Sequence, residues 1–404
     1  MANFATGLDI GSSQIKCVVA EEGKNGLSVI AALKHPSAGL RRGVIVDAEE
    51  ATNVLRELVL DLQKISRRAV HNVFVNINGE HIKSRSSRGV AVVSRPDQEI
   101  QEDDVERVLQ GAKAMKLTQN YAVLHNITRE YFIDDVGDIQ DPRGMTGNRL
   151  EVATLVVEVF SPHLNLLLKT LERVGFKVGG LIFSPLAAAE AVLSRKQKDL
   201  GVALVDLGFG TTSLAVFEEN KLAHVKTIPV GVGHVTSDIA IGLKTSIDAA
   251  EKMKLTYGFA SAREISRKDV INLVDFDPAL QGEVSKRFLA EVIEIRLAEI
   301  LDLVNNELKS LGREVQLPSG VVVTGGGVKM KGATELVRRE MRLPSRVGYP
   351  DLSGLEILNP THQELLDDPE FASAVGLLLW ARKESGRGRN GPGGVKGFFR
   401  RLIP

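Results

Sequence analysis

Two short stretches of one design, far apart in the chain, constrain its fold most. Gly7-Leu-Asp-Ile-Gly-Ser-Ser-Gln-Ile-Lys16 and Leu204-Val-Asp-Leu-Gly-Phe-Gly-Thr-Thr-Ser213 each read as an apolar strand, one aspartate, a glycine turn with hydroxyls and a second β-rich strand. Their aspartates, Asp9 and Asp206, lie 197 residues apart. Such a hairpin suits phosphate. Glycines let backbone N–H groups approach the oxygens, Ser and Thr hydroxyls add donors, and a carboxylate at each strand end can hold a magnesium ion through water. Either hairpin alone is also what a plain tight turn looks like, but the matching aspartate offset favours a pair of phosphate loops.

Strands and helices alternate around these hairpins almost throughout. "GLSVIAALKH" adds a third strand after the first hairpin. A helix then begins near Asp47, whose carboxylate can cap it with Glu50 three residues on, and sets Val54, Leu55, Leu58, Val59 and Leu62 on one face. Between about Glu80 and Glu158 the texture changes: "VAVVSRP", a helix with Val105, Val108, Leu109 and Ala112 at helical spacing, then β-rich "YAVLHNITREYFIDD" and "LEVATLVVEVF". This predicts a small βαβ module inserted into the first domain. A helix from Ser161, striped with Leu164, Leu167, Leu168, Leu171 and Val174 and stopped by Gly175, returns the chain to α/β organisation. A third glycine cluster, "GVVVTGGGVKMKG", follows an apolar strand and leads into a helix-forming stretch, so its backbone can approach a flat ligand and the helix start favours an anion.

Composition narrows the class. With 404 residues and 43% hydrophobic content the chain can bury a large core in two or more domains. Its 51 basic residues cancel 51 acidic ones, so no global field argues for nucleic acid, and an electrostatic partner must be met by a local patch. The single cysteine, Cys17, excludes an internal disulfide framework and cysteine zinc clusters. No metal-ligand cluster is visible. The N-terminus lacks a basic stretch followed by an apolar segment, and the apolar runs fall far short of the roughly 20 residues of a spanning helix. A cytoplasmic protein is therefore expected.

The order of the three glycine clusters, with the alanine-rich helices "SPLAAAEAVL" and "EFASAVGLLLW" between and after them, resembles the actin-like ATPase superfamily over almost the whole chain. Within it, "NINGEHIKSRSSRGVAVVSRPDQEIQEDDVERVL", "DPRGMTGNRLEV" and "GVGHVTSDIAIGLKTSIDAAEKMKLTYG" look like the FtsA family of bacterial division proteins, which carries a distinctive extra subdomain at this point. The resemblance implies an α/β, actin-like (ribonuclease H-like) two-lobed fold with an inserted subdomain in the first lobe. It divides the chain into subdomain 1A (1–80, 159–199 and 354–383), the insert 1C (81–158), 2A (200–236 and 305–353), 2B (237–304), a flexible linker (384–394) and a terminal helix (395–404). It further implies an ATP cleft with Mg2+, actin-like protofilaments, tethering of the tubulin homologue FtsZ to the cytoplasmic face of the inner membrane at the division site, and later division proteins as partners.

Residue roles carry over one by one. Asp9 and Asp206 match the paired metal-side aspartates; Gly11, Ser12, Ser13 and Lys16 match the first phosphate loop, and Gly208, Gly210, Thr211 and Thr212 the second. Phe209 departs from the usual glycine. Glu251 and Lys254 match the helix that touches ribose and base, and Gly325, Gly326, Gly327 and Met330 the adenosine turn; a solvated helix lysine is the alternative for Lys254. In hydrolysing relatives a carboxylate precedes the proline that opens the first connecting helix. Here Ser184 precedes Pro185, and a serine is no carboxylate base at neutral pH, so ATP is expected to lock the cleft and favour polymer with slow turnover at best.

Two further segments point outward. Lys286 to Gly312 reads as a long helix with Leu289, Val292, Ile293, Leu297, Ile300 and Leu301 as a core stripe, leaving Arg296 and Glu299 one turn apart on another face. By resemblance Arg296 meets the acidic FtsZ tail peptide, with Glu299 beside it. After glycine-rich "ESGRGRNGPGG", Val395, Phe398, Phe399 and Leu402 fall at i, i+3, i+4 and i+7 with Ile403 alongside, and Lys396, Arg400 and Arg401 project beside that stripe. This predicts a short interfacial helix for anionic lipid; a helix docked on its own body is the alternative. Competing functions are a small-molecule kinase of the same fold and a pilus-assembly scaffold of the PilM type.

Overall fold

The computed structural model describes residues 3–23, 26–114, 117–278, 280–312 and 317–387. The chain opens with an antiparallel meander of β1 (Asn3–Ile10), β2 (Gln14–Gly23) and β3 (Gly26–Pro36). Helix α1 (Ala48–Ile65) starts where the sequence predicts, because the Asp47 carboxylate accepts from the Glu49 and Glu50 N–H groups. Its Leu55, Leu58 and Leu62 are fully buried, a contribution of about 1.5–3 kcal/mol each. Strand β4 (Val73–Ile77) then lies parallel to β1.

The inserted unit follows: β5 (Lys83–Val92), α2 (Glu102–Lys113), β6 (Tyr121–Ile133), β7 (Val136–Ile139) and β8 (Arg149–Phe160). Strands β5 and β6 both run antiparallel to β8, one on each side of it, so they are parallel to each other and α2 makes the crossover. The result is a split βαβ unit whose own core includes Ile100, Val105, Val108, Leu150 and Val152. Helix α3 (Ser161–Val174) ends at Gly175, left-handed at φ 98°, and leads to β9 (Val178–Phe183) and α4 (Ser184–Val192).

The second half repeats the meander with β10 (Val202–Leu207), β11 (Thr212–Glu218) and β12 (Lys221–Ile228). Helices α5 (Gly233–Leu243), α6 (Ile247–Tyr257) and α7 (Lys286–Ser310) come next, then β13 (Val321–Thr324), α8 (Ala333–Met341) and β14 (Ser345–Val347). Strand β15 (Leu355–Ile357) rejoins the first sheet, and α9 (Ala372–Arg387) closes the described chain.

Strand order is β9-β4-β1-β2-β3-β15 in the first sheet and β12-β11-β10-β13-β14 in the second. Read in reverse, the second matches the first strand for strand through β3. The two related hairpins thus open two related sheets; one core runs from the first sheet to one face of the second, through Leu204, Ala215 and Val225, and another covers the second sheet's other face with Ala203, Val205 and Leu214. Helices α4 and α9 pack together beneath the first sheet. A Cβ on Gly376 would lie 1.8 Å from the Ala187 carbonyl oxygen, so the alanine-rich composition of these helices reflects a backbone approach that larger side chains would block.

One boundary differs from expectation. Helix α9 runs through Arg387, so the start of the linker expected from Glu384 is helical; extending an established helix gains one backbone hydrogen bond per residue fixed. The remainder of that linker and the terminal segment with Val395, Lys396, Phe398, Phe399, Arg400, Arg401, Leu402 and Ile403 lie outside the described residues. No helix among the described residues is long and apolar enough to cross a membrane.

Candidate functional site

The two hairpin turns are closed by the same bond. The Gly11 N–H donates to Gln14 O at 3.1 Å, and the Gly208 N–H to Thr211 O at 3.0 Å. They face each other closely: a Cβ on Gly210 would stand 2.8 Å from Ser12 Oγ, which itself accepts from the Gly43 N–H at 3.0 Å. Between them, and between the two sheets, opens a cleft of about 490 Å³.

Asp9 and Asp206 line the cleft at the ends of equivalent strands. Asp9 Oδ1 accepts from Asn76 Nδ2 at 2.7 Å, and Asn76 Oδ1 accepts from the Ile10 N–H at 2.7 Å, so one amide side chain fixes both carboxylate and strand end. Asp9 Oδ2 lies 3.5 Å from Lys16 Nζ, its cross-strand partner. Burial raises the Asp9 pKa; Lys16 opposes the rise and the Glu370 charge adds to it. Asp206 is pushed up to about 6, first by burial and then by the Asp9 charge. Two carboxylates that disfavour each other's charge, with water-sized space before them, form the hard-oxygen donor set that suits hydrated Mg2+.

The third glycine cluster closes the cleft from the second lobe. Gly325 has φ 86°, and a Cβ there would fall 2.2 Å from Asp206 Oδ1; both facts require glycine. The turn passes through a short 3-10 stretch, Gly326–Lys329, before α8. Met330 packs against Gly258, where a Cβ would lie 2.5 Å from its sulfur. From α6, Glu251 and Lys254 reach the same space. Lys254 is no solvated lysine: it is buried, donating to Thr236 Oγ1 at 2.8 Å and Glu251 Oε2 at 2.6 Å, and burial lowers its pKa against the pull of Glu251. Phe209, the departure from glycine, sets its ring 5.5 Å from Lys254 Nζ and against Gly233 at the start of α5.

Asp9, Gly11, Ser12, Ser13, Lys16, Asp206, Gly208, Gly210, Thr211, Glu251, Lys254, Gly325, Gly326, Gly327 and Met330 all line this one cleft. Thr212 does not. It is fully buried with its hydroxyl donating to Val230 O at 2.8 Å, because successive side chains of extended chain point to opposite faces and Thr211 takes the cleft side. Sequence reasoning missed Asn76, Asn78, Lys34 and Glu370, which line the cleft outside any glycine motif. Ser184 lines it too, its hydroxyl accepting from Asn76 Nδ2 at 3.1 Å and donating to Ile77 O at 3.2 Å. Arg296 and Glu299 sit elsewhere, on α7: Arg296 Nη1 is 2.7 Å from Glu299 Oε2, and Nη2 donates to Asp238 Oδ1 of α5 at 3.0 Å.

Two sheets of one topology around a shared cleft, with a split βαβ unit inserted in the first lobe, define an actin-like protein. Solved structures agree on the fold. The PilM-PilN type IV pilus biogenesis complex matches with a TM-score of 0.67 at 19% identity, covering 93% of this chain and 98% of that one. MreB 5 of Spiroplasma citri bound to AMPPNP matches with 0.57 at 14% identity, covering 96% and 99%. The SHS2 domain inserted in FTSA is matched by residues 79–158, and the cell division protein FtsA family by residues 203–376. The cell division proteins FtsA of Pseudomonas aeruginosa and Bacillus subtilis are 35% and 33% identical, over 95% and 93% of this chain and 90% and 82% of theirs. The chain belongs to the FtsA family of cell division proteins.

Proposed function

We propose that this chain binds ATP with Mg2+ in the interlobe cleft, polymerises into actin-like protofilaments and tethers FtsZ to the cytoplasmic membrane at the division site, where later division proteins join it. The observation that carries the nucleotide reading is the meeting of both hairpins and the Gly-Gly-Gly turn on one cleft around Asp9 and Asp206. In this reading Gly11, Ser12, Ser13 and Lys16 hold phosphate from one side, and Gly208, Gly210 and Thr211 from the other. Asp9 and Asp206 would hold Mg2+ through water, which would supply positive charge against the phosphates. Glu251 and Lys254 meet ribose and base, and Gly325, Gly326, Gly327 and Met330 the adenosine. Ser184 supplies no carboxylate base, which supports slow turnover and a nucleotide that acts mainly by closing the lobes. The subdomain boundaries expected above belong to the same reading.

Calorimetry with ATP and Mg2+ tests the cleft: equal affinity in the parent and in Asp9→Ala and Asp206→Ala would sink the assignment. The tether rests on the terminal segment, whose apolar stripe and three cations suit anionic lipid at about 1 kcal/mol per cation. One tail binds weakly and a polymer presents many, so ATP-favoured assembly controls membrane residence. Co-sedimentation with anionic liposomes, comparing the full chain with a truncation after Arg387, checks it; equal pelleting removes the tail as anchor. The pilus-scaffold alternative shares the fold at 19% identity, whereas the curated division proteins reach 35%. Binding of an FtsZ tail peptide against a pilus-protein peptide separates the two.

A further inference from the structure

Asn78, immediately after β4, belongs to the first lobe, yet nearly every partner of its carboxamide is in the second. Its Nδ2 donates to Thr211 Oγ1 and Ser213 Oγ, both at 3.2 Å, and its Oδ1 accepts from Thr227 Oγ1 at 2.7 Å and from the Gly79 N–H at 2.9 Å. The amide is saturated, and the three hydroxyls it gathers are on buried residues. Ser213 and Thr227 are register partners on β11 and β12, and Ser213 also faces Asp206 across β10. Thr211 lines the cleft and belongs to the second phosphate hairpin.

The chain that leaves Asn78 enters the inserted unit within five residues, and it is held to the same strand pair again. Ser84 Oγ, on β5, donates to Val225 O of β12 at 2.9 Å. A third contact joins these parts: Lys221 Nζ, at the start of β12, lies 2.8 Å from Asp138 Oδ1 and 3.6 Å from Glu130 Oε2 of the insert. The second phosphate hairpin is thus hydrogen-bonded, through Asn78 and the strand pair it grips, to the segment that carries the insert.

We propose that Asn78 is a positioning residue that couples occupancy of the second phosphate hairpin to the inserted unit: a ligand that draws Thr211 into the cleft shifts Asn78, and the 78–84 segment moves the β5 edge of the insert with it. This rests on the nucleotide reading above. A buried polar network of this kind has few arrangements that satisfy every member, so when Thr211 moves Asn78 either follows or loses its bonds.

Hydrogen exchange of the full-length protein at Lys83–Val92, with and without saturating ATP and Mg2+, reads the coupling, and calorimetry on the same samples reads binding. The parent changes its exchange at Lys83–Val92 on ATP addition. Asn78→Ala at saturating ATP loses that change. Ser84→Ala lies outside the cleft; it diminishes the change at Lys83–Val92 while ATP affinity stays at the parent value. Should the parent bind ATP without any response at Lys83–Val92, or should Asn78→Ala and Ser84→Ala both respond as fully as the parent, the coupling is overturned and the nucleotide reading stands. A parent that binds no ATP overturns both.

Discussion

Asp9 and Asp206 occupy the same place in the two matched sheets, but their surroundings differ. In the first lobe the neighbouring parallel strand supplies Asn76, which bonds Asp9, and the partner strand supplies Lys16. In the second lobe the residue paired with Asp206 is Thr324, whose hydroxyl turns away to Gly348 O and Pro369 O, both at 2.9 Å. Gly325 stands against the Asp206 carboxylate in place of a donor side chain. The strand order repeats; the polar shell does not. Asp9 is a charge held by a hydrogen bond and an ion pair, whereas Asp206, pushed by burial and by the Asp9 charge against the pull of Lys16, rises to about 6. The pair therefore divides the work of one site: one anchor fixed by protein, one that a cation stabilises most.

The strongest way to break this contrast is Gly325→Ala. The φ of 86° is a conformation only glycine adopts readily, and the new Cβ would meet Asp206 Oδ1, so stability should fall by about 3 kcal/mol and ATP binding with it. Urea unfolding checks the first and calorimetry the second. An intact ATP affinity would mean that the turn is free to move away from Asp206.

A second test compares histidines of the two lobes. His125 Nε2 accepts from the Phe183 N–H at 3.0 Å, and burial lowers its pKa to about 4; His224 is lowered too, but Glu307 opposes the shift. A histidine depressed in the folded state binds its proton first in the unfolded chain, so stability is full above about 6.5 and falls as pH drops toward 4. At pH 5 the His125 contribution to that loss is about 2 kcal/mol. His125→Gln should flatten the stability profile between pH 7 and 5, and His224→Gln should flatten it less. Equal profiles for all three proteins would remove His125 as the acid-sensitive contact.

Next in size are the aspartates themselves. Either Asp9→Asn or Asp206→Asn should weaken Mg2+-dependent ATP binding about tenfold, or about 1.4 kcal/mol. Without nucleotide they should diverge. Asp206→Asn raises the melting temperature by removing a buried charge that Asp9 disfavours, whereas Asp9→Asn lowers it by leaving the largely buried Lys16 without its ion-pair partner. Shifts of the same sign would erase the contrast between the lobes. The smallest effect belongs to Arg296→Gln, which loses half-exposed pairs with Asp238 and Glu299 and should cost under about 1 kcal/mol of stability. Loss of FtsZ tail-peptide binding by that variant, measured by fluorescence anisotropy, would place α7 in the partner surface; unchanged binding would exclude it.

Much of this was legible in the sequence because it is local. The caps at Asp47 and Gly175, the stripes of α1 and α7, the βαβ texture of the insert and the two hairpins follow from period, turn chemistry and spacing within a few residues. Even Gly325 announces itself as part of a triple glycine. What the sequence by itself could not decide is which side chains meet between separate elements, from 18 residues apart for Thr212 and Val230 to 149 for Asn78 and Thr227. Asn76 reaching Asp9, Asn78 gathering three second-lobe hydroxyls, Lys254 buried beneath Phe209 and Thr212 turned from the cleft depend on strand register and on how the lobes close. No periodicity records those contacts, since each residue's own neighbours are satisfied whether or not the distant partner arrives. Only the packed tertiary structure supplies the partner, and with it the difference between two carboxylates that the sequence presents as equals.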